Sequence, residues 1–284
     1  MRFLTYIYSA IIGIVEGITE WLPISSTGHM ILFDELLHFE ELTSPDFYNF
    51  FEVAVQLGAI LAVVILYFKR LNPFSPKKTP EEKKATWQTW LMVLIGILPA
   101  TLIGVPFDDW FDEHLHNFPV VGLALIVYGV AFIIIERVEK NKEPKVSSVS
   151  AFTWKTALLI GLFQVLSLIP GTSRSGSTIL GAMLLGVSRT AAAEYSFFMA
   201  IPVMAGACLI RGYKFFSSGV AMTAGEIGVL AVGIITAFVV SYIAIKFLMD
   251  FVKKHSFEAF GWYRIVLGII VIIVAIATGK AIIF

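Results

Sequence analysis

The sequence predicts an all-α integral membrane protein: an inverted-repeat bundle of six transmembrane helices plus two re-entrant helical hairpins, forming a single membrane domain. Three observations carry this expectation. The 284 residues are 57% apolar and 15% charged, with a mean hydropathy of +0.83, whereas a soluble domain carries about 25% charge. Six stretches are long and apolar enough to cross a bilayer. Two further apolar regions are interrupted, and the interruptions resemble each other.

A spanning helix needs about 20 mostly apolar residues. The qualifying stretches are roughly 48–68, 88–107, 118–136, 192–210, 226–249 and 260–283. The interrupted regions are 3–38, broken near Pro23, and 155–188, broken near Pro170–Gly171. Each half is too short to cross alone. Non-helical backbone at membrane depth is tolerated only where protein or a water-filled cavity surrounds it. Both regions are therefore expected to be hairpins lining a polar cavity, with helices resuming at 30–37 and 177–187.

Basic residues orient the spans. Lys69, Arg70, Lys77, Lys78, Lys83 and Lys84 follow the first span, Arg137, Lys140, Lys142, Lys145 and Lys155 the third, and Lys253 and Lys254 the fifth. Such loops face the cytoplasm. The alternate segments 34–49 and 107–117 carry no Lys or Arg, and 211–226 has only Arg211 and Lys214. Both termini are then expected outside, and the first hairpin dips in from outside. Trp87, Trp90, Trp110, Trp154 and Trp262 fall near span ends, as interfacial anchors do. Net charge is zero, which argues against a nucleic-acid partner. The single Cys208 excludes an internal disulfide or a thiolate metal cluster. The N-terminal segment, with Arg2 followed by apolar residues and interrupted by Glu16 and Glu20, does not read as a cleaved signal.

Shifting the chain by 148 residues lays GIVEGITEWLPISSTG (13–28) on GLFQVLSLIPGTSRSG (161–176). Glu16 falls on Gln164, Ser25 on Ser173 and Gly28 on Gly176; further on, Val55, Gly58 and Ala59 fall on Val203, Gly206 and Ala207. Each half, about 1–140 and 150–284, then holds one hairpin and three spans. Three is odd, so the second half enters from the opposite side. Inverted repeats with broken helices place binding sites where the breaks meet.

The second break supplies Gly171, Ser173, Arg174, Ser175, Gly176 and Thr178 ahead of an apolar helix. A helix N-terminus favours anions, and a guanidinium fork matches phosphate oxygens in pairs. The competing reading is a small-residue packing site with Arg174 paired to a glutamate. An arginine inside a membrane segment favours function. The first break supplies Ser25, Ser26, Thr27, Gly28 and His29. A serine hydroxyl here can act as nucleophile, with His29 three residues on. Glu16 and Glu20, spaced i, i+4, can hold a divalent cation or act as general base. Glu52, Gln56 and Glu194 are expected in supporting roles, His114 and His116 in a solvated outer loop, and KKTPEEKK (77–84) in a surface loop.

At EGITEWLPISSTGHM (16–30), VQLGAILAV (55–63), PGTSRSGST (170–178) and EYSFFMAIPVM (194–204) the chain resembles the bacterial undecaprenyl-pyrophosphate phosphatases, the bacitracin-resistance family. The likeness runs along essentially the whole chain. It implies hydrolysis of undecaprenyl pyrophosphate to undecaprenyl phosphate and inorganic phosphate in the bacterial plasma membrane, recycling the lipid carrier of cell-wall polymers. It also implies that Ser26 is the nucleophile and His29 an acid/base, with His29 as nucleophile and Ser26 only binding phosphate as a variant. Glu16 and Glu20 are linked to a divalent cation, Mg or Ca. Ser173, Arg174 and Thr178 bind pyrophosphate, with Ser25, Thr27, Gly28, Gly171, Ser175 and Gly176 beside them. The partners implied are the polyprenyl pyrophosphate and membrane lipids, and a homodimer is allowed. Two rival readings are a lipid-phosphate transporter or flippase, and a non-catalytic lipid-binding scaffold.

Overall fold

A computed structural model describes residues 3–219 and 221–281, apart from the side chains at 40, 41 and 45. Residues 2, 282 and 283, mentioned above, lie outside the described residues. The chain folds as α1 (Phe3–Thr19), α2 (Ser26–Leu37), α3 (Pro45–Leu66), a short α4 (Phe68–Leu71), α5 (Pro80–Leu115), α6 (Phe118–Glu139), α7 (Trp154–Val165), α8 (Arg174–Leu184), α9 (Arg189–Ser217), α10 (Ala224–Lys254) and α11 (Glu258–Ala277). Among these, α3, α5, α6, α9, α10 and α11 are long and apolar enough to cross a membrane. The outward faces are apolar too: Leu102, Leu123, Ile235 and Ile243 are exposed. A bilayer is the solvent that such a surface fits.

Local chemistry explains most helix starts. Thr79 and Glu82 form a reciprocal capping box with Pro80 at the first position, and Thr223 and Glu226 form another. Ser44, Asn117 and Ser188 cap α3, α6 and α9. Two expected loops prove to be helical. Residues 80–84 of KKTPEEKK already belong to α5. At the other end α5 continues through residues 107–115, because FDDWFDEHL lacks a helix breaker after Pro106. His114 is thus helical, and it stacks on Trp110 with ring centroids 4.9 Å apart. The final span ends at Ala277 rather than 283, where Thr278 and Gly279 close the helix.

The packing is reciprocal between the halves. α1 crosses α10, and α7 crosses α5. At these crossings the Gly13 backbone lies against Gly233, and Gly161 against Gly96. α3 packs on α9, and α6 on α11. In the last pair a methyl group added at Gly129 would lie 2.7 Å from the Gly261 carbonyl, and one at Gly268 2.7 Å from the Gly122 carbonyl. Small residues let helix backbones approach where lipid offers no hydrophobic drive to associate. Elsewhere Glu136 on α6, 2% exposed, pairs with Arg189 on α9 at 2.5 Å and accepts the Phe257 N–H at the start of α11 at 2.7 Å. One carboxylate therefore ties three elements together.

Candidate active site

Each broken region turns between two helices that stop short of a full crossing. α1 has 17 residues and α7 has 12. The helices after the breaks begin earlier than the sequence suggests, at Ser26 and Arg174 rather than near 30 and 177. The reason is capping. Ser25 Oγ accepts the Gly28 N–H at 3.2 Å, and Ser173 Oγ accepts the Gly176 N–H at 3.1 Å. Both serines adopt left-handed backbone, with φ of 72° and 73°. For a residue with a Cβ this conformation is strained, and such strain clusters at functional sites. Positions 25 and 173 are related by the 148-residue shift, so the two turns share geometry as well as sequence.

The two tips meet on Glu20. Its carboxylate accepts the Ser26 hydroxyl at 3.1 Å and the Arg174 Nη2 and Nε donors at 2.9 and 3.2 Å. The Glu20 and Arg174 side chains are each only 10% exposed. Arg174 Nη1 donates to the Ser196 carbonyl at 2.7 Å, fixing the fork against α9. Ser175 Oγ donates to the Glu20 carbonyl at 3.1 Å and strengthens the junction. Glu16 lies one helical turn before Glu20, whose N–H bonds the Glu16 carbonyl at 3.1 Å. Glu16 Oε1 is buried and has no hydrogen-bond partner among the described residues. A buried, unpartnered carboxylate oxygen is costly and calls for a proton or a cation.

Ser26, Thr27, Ser173 and Arg174 are partly exposed, whereas their neighbours Ser25, Gly28, Gly171, Ser175, Gly176 and Thr178 are buried. The first N–H groups of α2 and α8 flank them, and helix geometry leaves these donors without intrahelical acceptors. The remaining candidates make contacts within and between the turns. Thr178 Oγ1 donates to the Arg174 carbonyl at 2.8 Å and is hydrogen-bonded to the Ser196 hydroxyl at 2.9 Å. Gly171, with φ of 90°, lies so close to α6 that a Cβ would meet the Val121 carbonyl at 2.6 Å. Gly28 packs on Leu125. His29 contacts the Ser25 carbonyl through Nδ1 and the Tyr263 hydroxyl through Nε2, both at 2.7 Å. The Ser26 hydroxyl bonds Glu20 rather than His29. Among the outlying residues, Glu52 accepts the Tyr48 hydroxyl at 3.1 Å, and Glu194 pairs with Arg70 at 2.6 Å.

Sequence reasoning missed Arg264. This residue of α11 has no exposed surface. It donates to the Pro23 carbonyl at 3.2 Å and to the Gly171 and Thr172 carbonyls at 2.9 Å, and it lies 5.7 Å from the Tyr128 ring centre. It therefore holds both turns from behind. A lone arginine within an apolar run was the available signal. Ser196 and Tyr263 had no such signal. Their roles come from contacts distant in sequence.

The fold and this junction define an integral, multi-pass membrane protein whose two half-crossing hairpins bring a hydroxyl, two carboxylates and a guanidinium together away from bulk water. The comparisons with known proteins narrow this class. Residues 9–270 match the family described as bacitracin resistance protein BacA, and the chain belongs to it. It is 57% identical over 272 residues to an undecaprenyl-diphosphatase of Enterococcus faecalis, covering 96% of this chain and 98% of that one. It is 54% identical over 264 residues to the undecaprenyl-diphosphatase of Lactiplantibacillus plantarum, covering 93% and 95%, and 55% identical over 264 residues to that of Limosilactobacillus fermentum, with the same coverage.

Proposed function

We propose that this chain is an undecaprenyl-diphosphatase: it hydrolyses undecaprenyl diphosphate to undecaprenyl phosphate and inorganic phosphate, and so returns the lipid carrier to cell-wall synthesis. Bacitracin resistance follows as a consequence. The observation that carries the reading is the meeting of Ser26 and Arg174 on Glu20, in a chain so similar to proteins of that name.

Phosphoryl transfer asks chiefly for positioning and for donors aimed at the phosphoryl oxygens. Ser26 attacks the terminal phosphorus while its proton passes to Glu20. The Ser26 Oγ–P bond forms, the bridging P–O bond breaks, and undecaprenyl phosphate leaves. Water then attacks the phosphorylated serine and releases inorganic phosphate. Arg174 and the free N–H groups of α2 and α8 hold the phosphoryl oxygens. Glu20 occupies the Arg174 fork, so the diphosphate competes with Glu20 for it. Glu16 and Glu20 fit a divalent cation, Mg or Ca, because Glu16 Oε1 is buried without a partner and such ions bind through one or two carboxylates plus substrate phosphates. When bound, the ion neutralises charge on the diphosphate.

The site belongs to a protein of the bacterial plasma membrane, with both termini outside and the hairpin junction opening outward. Membrane lipids surround it, and a homodimer is compatible with its apolar outer surface. Phosphate release by purified protein in detergent tests the reading. Retained binding of undecaprenyl diphosphate without release would favour the transporter, which the two opposed hairpins also suit. Full function in a Ser26→Ala variant would favour a scaffold.

A further inference from the structure

Both ring nitrogens of His29 are engaged. Nδ1 lies 2.7 Å from the Ser25 carbonyl. A carbonyl only accepts, so Nδ1 carries a proton. In the neutral ring Nε2 then holds the lone pair, and at 2.7 Å it accepts the Tyr263 O–H. The two rings run nearly parallel, 12° apart, with centroids separated by 5.6 Å. His29 itself is 8% exposed, and the nearby Ser26 hydroxyl turns to Glu20. His29 therefore offers no free nitrogen of its own. Tyr263, by contrast, is 46% exposed, and its phenol oxygen can still accept a hydrogen bond while donating one. The next residue on α11, Arg264, bonds the carbonyls of both turns. The same helix thus sets Tyr263 in register with both hairpins.

We infer that Tyr263 is a catalytic residue of the hydrolytic centre, which holds His29 as the Nδ1–H tautomer and relays a proton between Nε2 and the reacting water. This rests on the hydrolase reading above. In the second step an O–H bond of water breaks and its proton passes to the Tyr263 oxygen, while the phenol's own proton passes to His29 Nε2. The water oxygen bonds phosphorus, the Ser26 Oγ–P bond breaks, and Glu20 returns to Ser26 the proton taken in the first step. His29 finally releases its extra proton back through Tyr263.

The test uses full-length protein in detergent with undecaprenyl diphosphate as substrate. Tyr263→Phe removes one oxygen and keeps the stacked ring. It is expected to lower kcat about 100-fold, the lower range for acid–base catalysis, with KM within about threefold of the wild type. His29→Ala is expected to lose a similar factor, and the double variant no more than His29→Ala alone, because residues that act as a unit are not additive. In parallel, nitrogen NMR of histidine-labelled protein, with the His29 signal identified by its loss in His29→Ala, is expected to report a proton on Nδ1. Tyr263→Phe turnover within twofold of wild type, multiplicative losses in the double variant, or a neutral His29 protonated on Nε2 would each overturn the inference. Absence of phosphate release from the wild type would instead remove the hydrolase reading, and the NMR result would still report on the pair.

Discussion

Ser26 and Arg174 stand at the same position in two repeated hairpins, 148 residues apart (174 − 26), and both bond the carboxylate of Glu20. Each is the first residue of its helix. The repeat is thus symmetric in backbone and asymmetric in chemistry. One tip presents a hydroxyl where the other presents a guanidinium. The second hairpin also carries Gln164 and Leu168 where the first carries Glu16 and Glu20. Had both halves kept the acids, four carboxylates would crowd one buried junction, and like charges at short range are strongly unfavourable.

Ser26→Ala is expected to reduce phosphate release by at least about 10³-fold, as removal of a catalytic nucleophile does, while leaving substrate binding within about threefold. Labelled substrate quenched in acid separates the two nucleophile assignments. Wild-type protein should retain an acid-stable phosphoryl label that Ser26→Ala lacks. A label lost in acid but retained after an alkaline quench would indicate His29.

Arg174→Lys keeps the charge but cannot bond Glu20 through two nitrogens and Ser196 through a third. We expect kcat/KM to fall about 100-fold or more, the loss typical of one oriented donor to a developing anion. Wild-type turnover would take Arg174 out of the phosphoryl clamp.

Chelation of divalent cations is expected to suppress turnover, and Mg or Ca to restore it. Glu16→Gln should raise the cation concentration needed for half-maximal rate, because it neutralises the carboxylate that contains the unpartnered Oε1. An unchanged cation response in Glu16→Gln would separate Glu16 from the ion.

Arg264→Met should destabilise the fold by about 3 kcal/mol or more, since three buried carbonyls lose a charged donor at once. Thermal unfolding in detergent reads this directly. Full stability would mean that the two turns are held by their serine caps alone.

Gly129→Val places a branched side chain where even a methyl group lies 2.7 Å from the Gly261 carbonyl. Separation of α6 from α11 should cost about 1–3 kcal/mol, the range for overpacking. The same melting assay measures it, and an unshifted midpoint would show that the pair tolerates a wider crossing.

The residues that meet at the junction were largely legible from the sequence. The breaks at Pro23 and Pro170–Gly171 interrupt apolar runs that otherwise suit a bilayer, and charged or hydroxyl residues are expensive there unless used. Helix boundaries were less legible. The sequence places the second-tip helix at 177 because apolar residues begin there, whereas Ser173 caps it at Arg174. Hydropathy reports burial in lipid, and a cap is a local hydrogen bond that hydropathy does not measure. The same blindness hid the extension of α5 to Leu115, which continues as helix beyond its apolar stretch.

Composition and the internal repeat determined that this chain lives in a bilayer, that two helices break inside it, and that the breaks carry hydroxyl and charged side chains. These features follow from residue types and spacing along the chain. Only the tertiary structure decided which groups meet: Ser26 with Glu20 rather than His29, His29 with Tyr263, and Arg264 behind both turns. Such pairings depend on how distant helices cross, and that is settled by backbone contacts at residues such as Gly13, Gly129 and Gly161, whose lack of a side chain leaves no chemical signature of the partner they will meet.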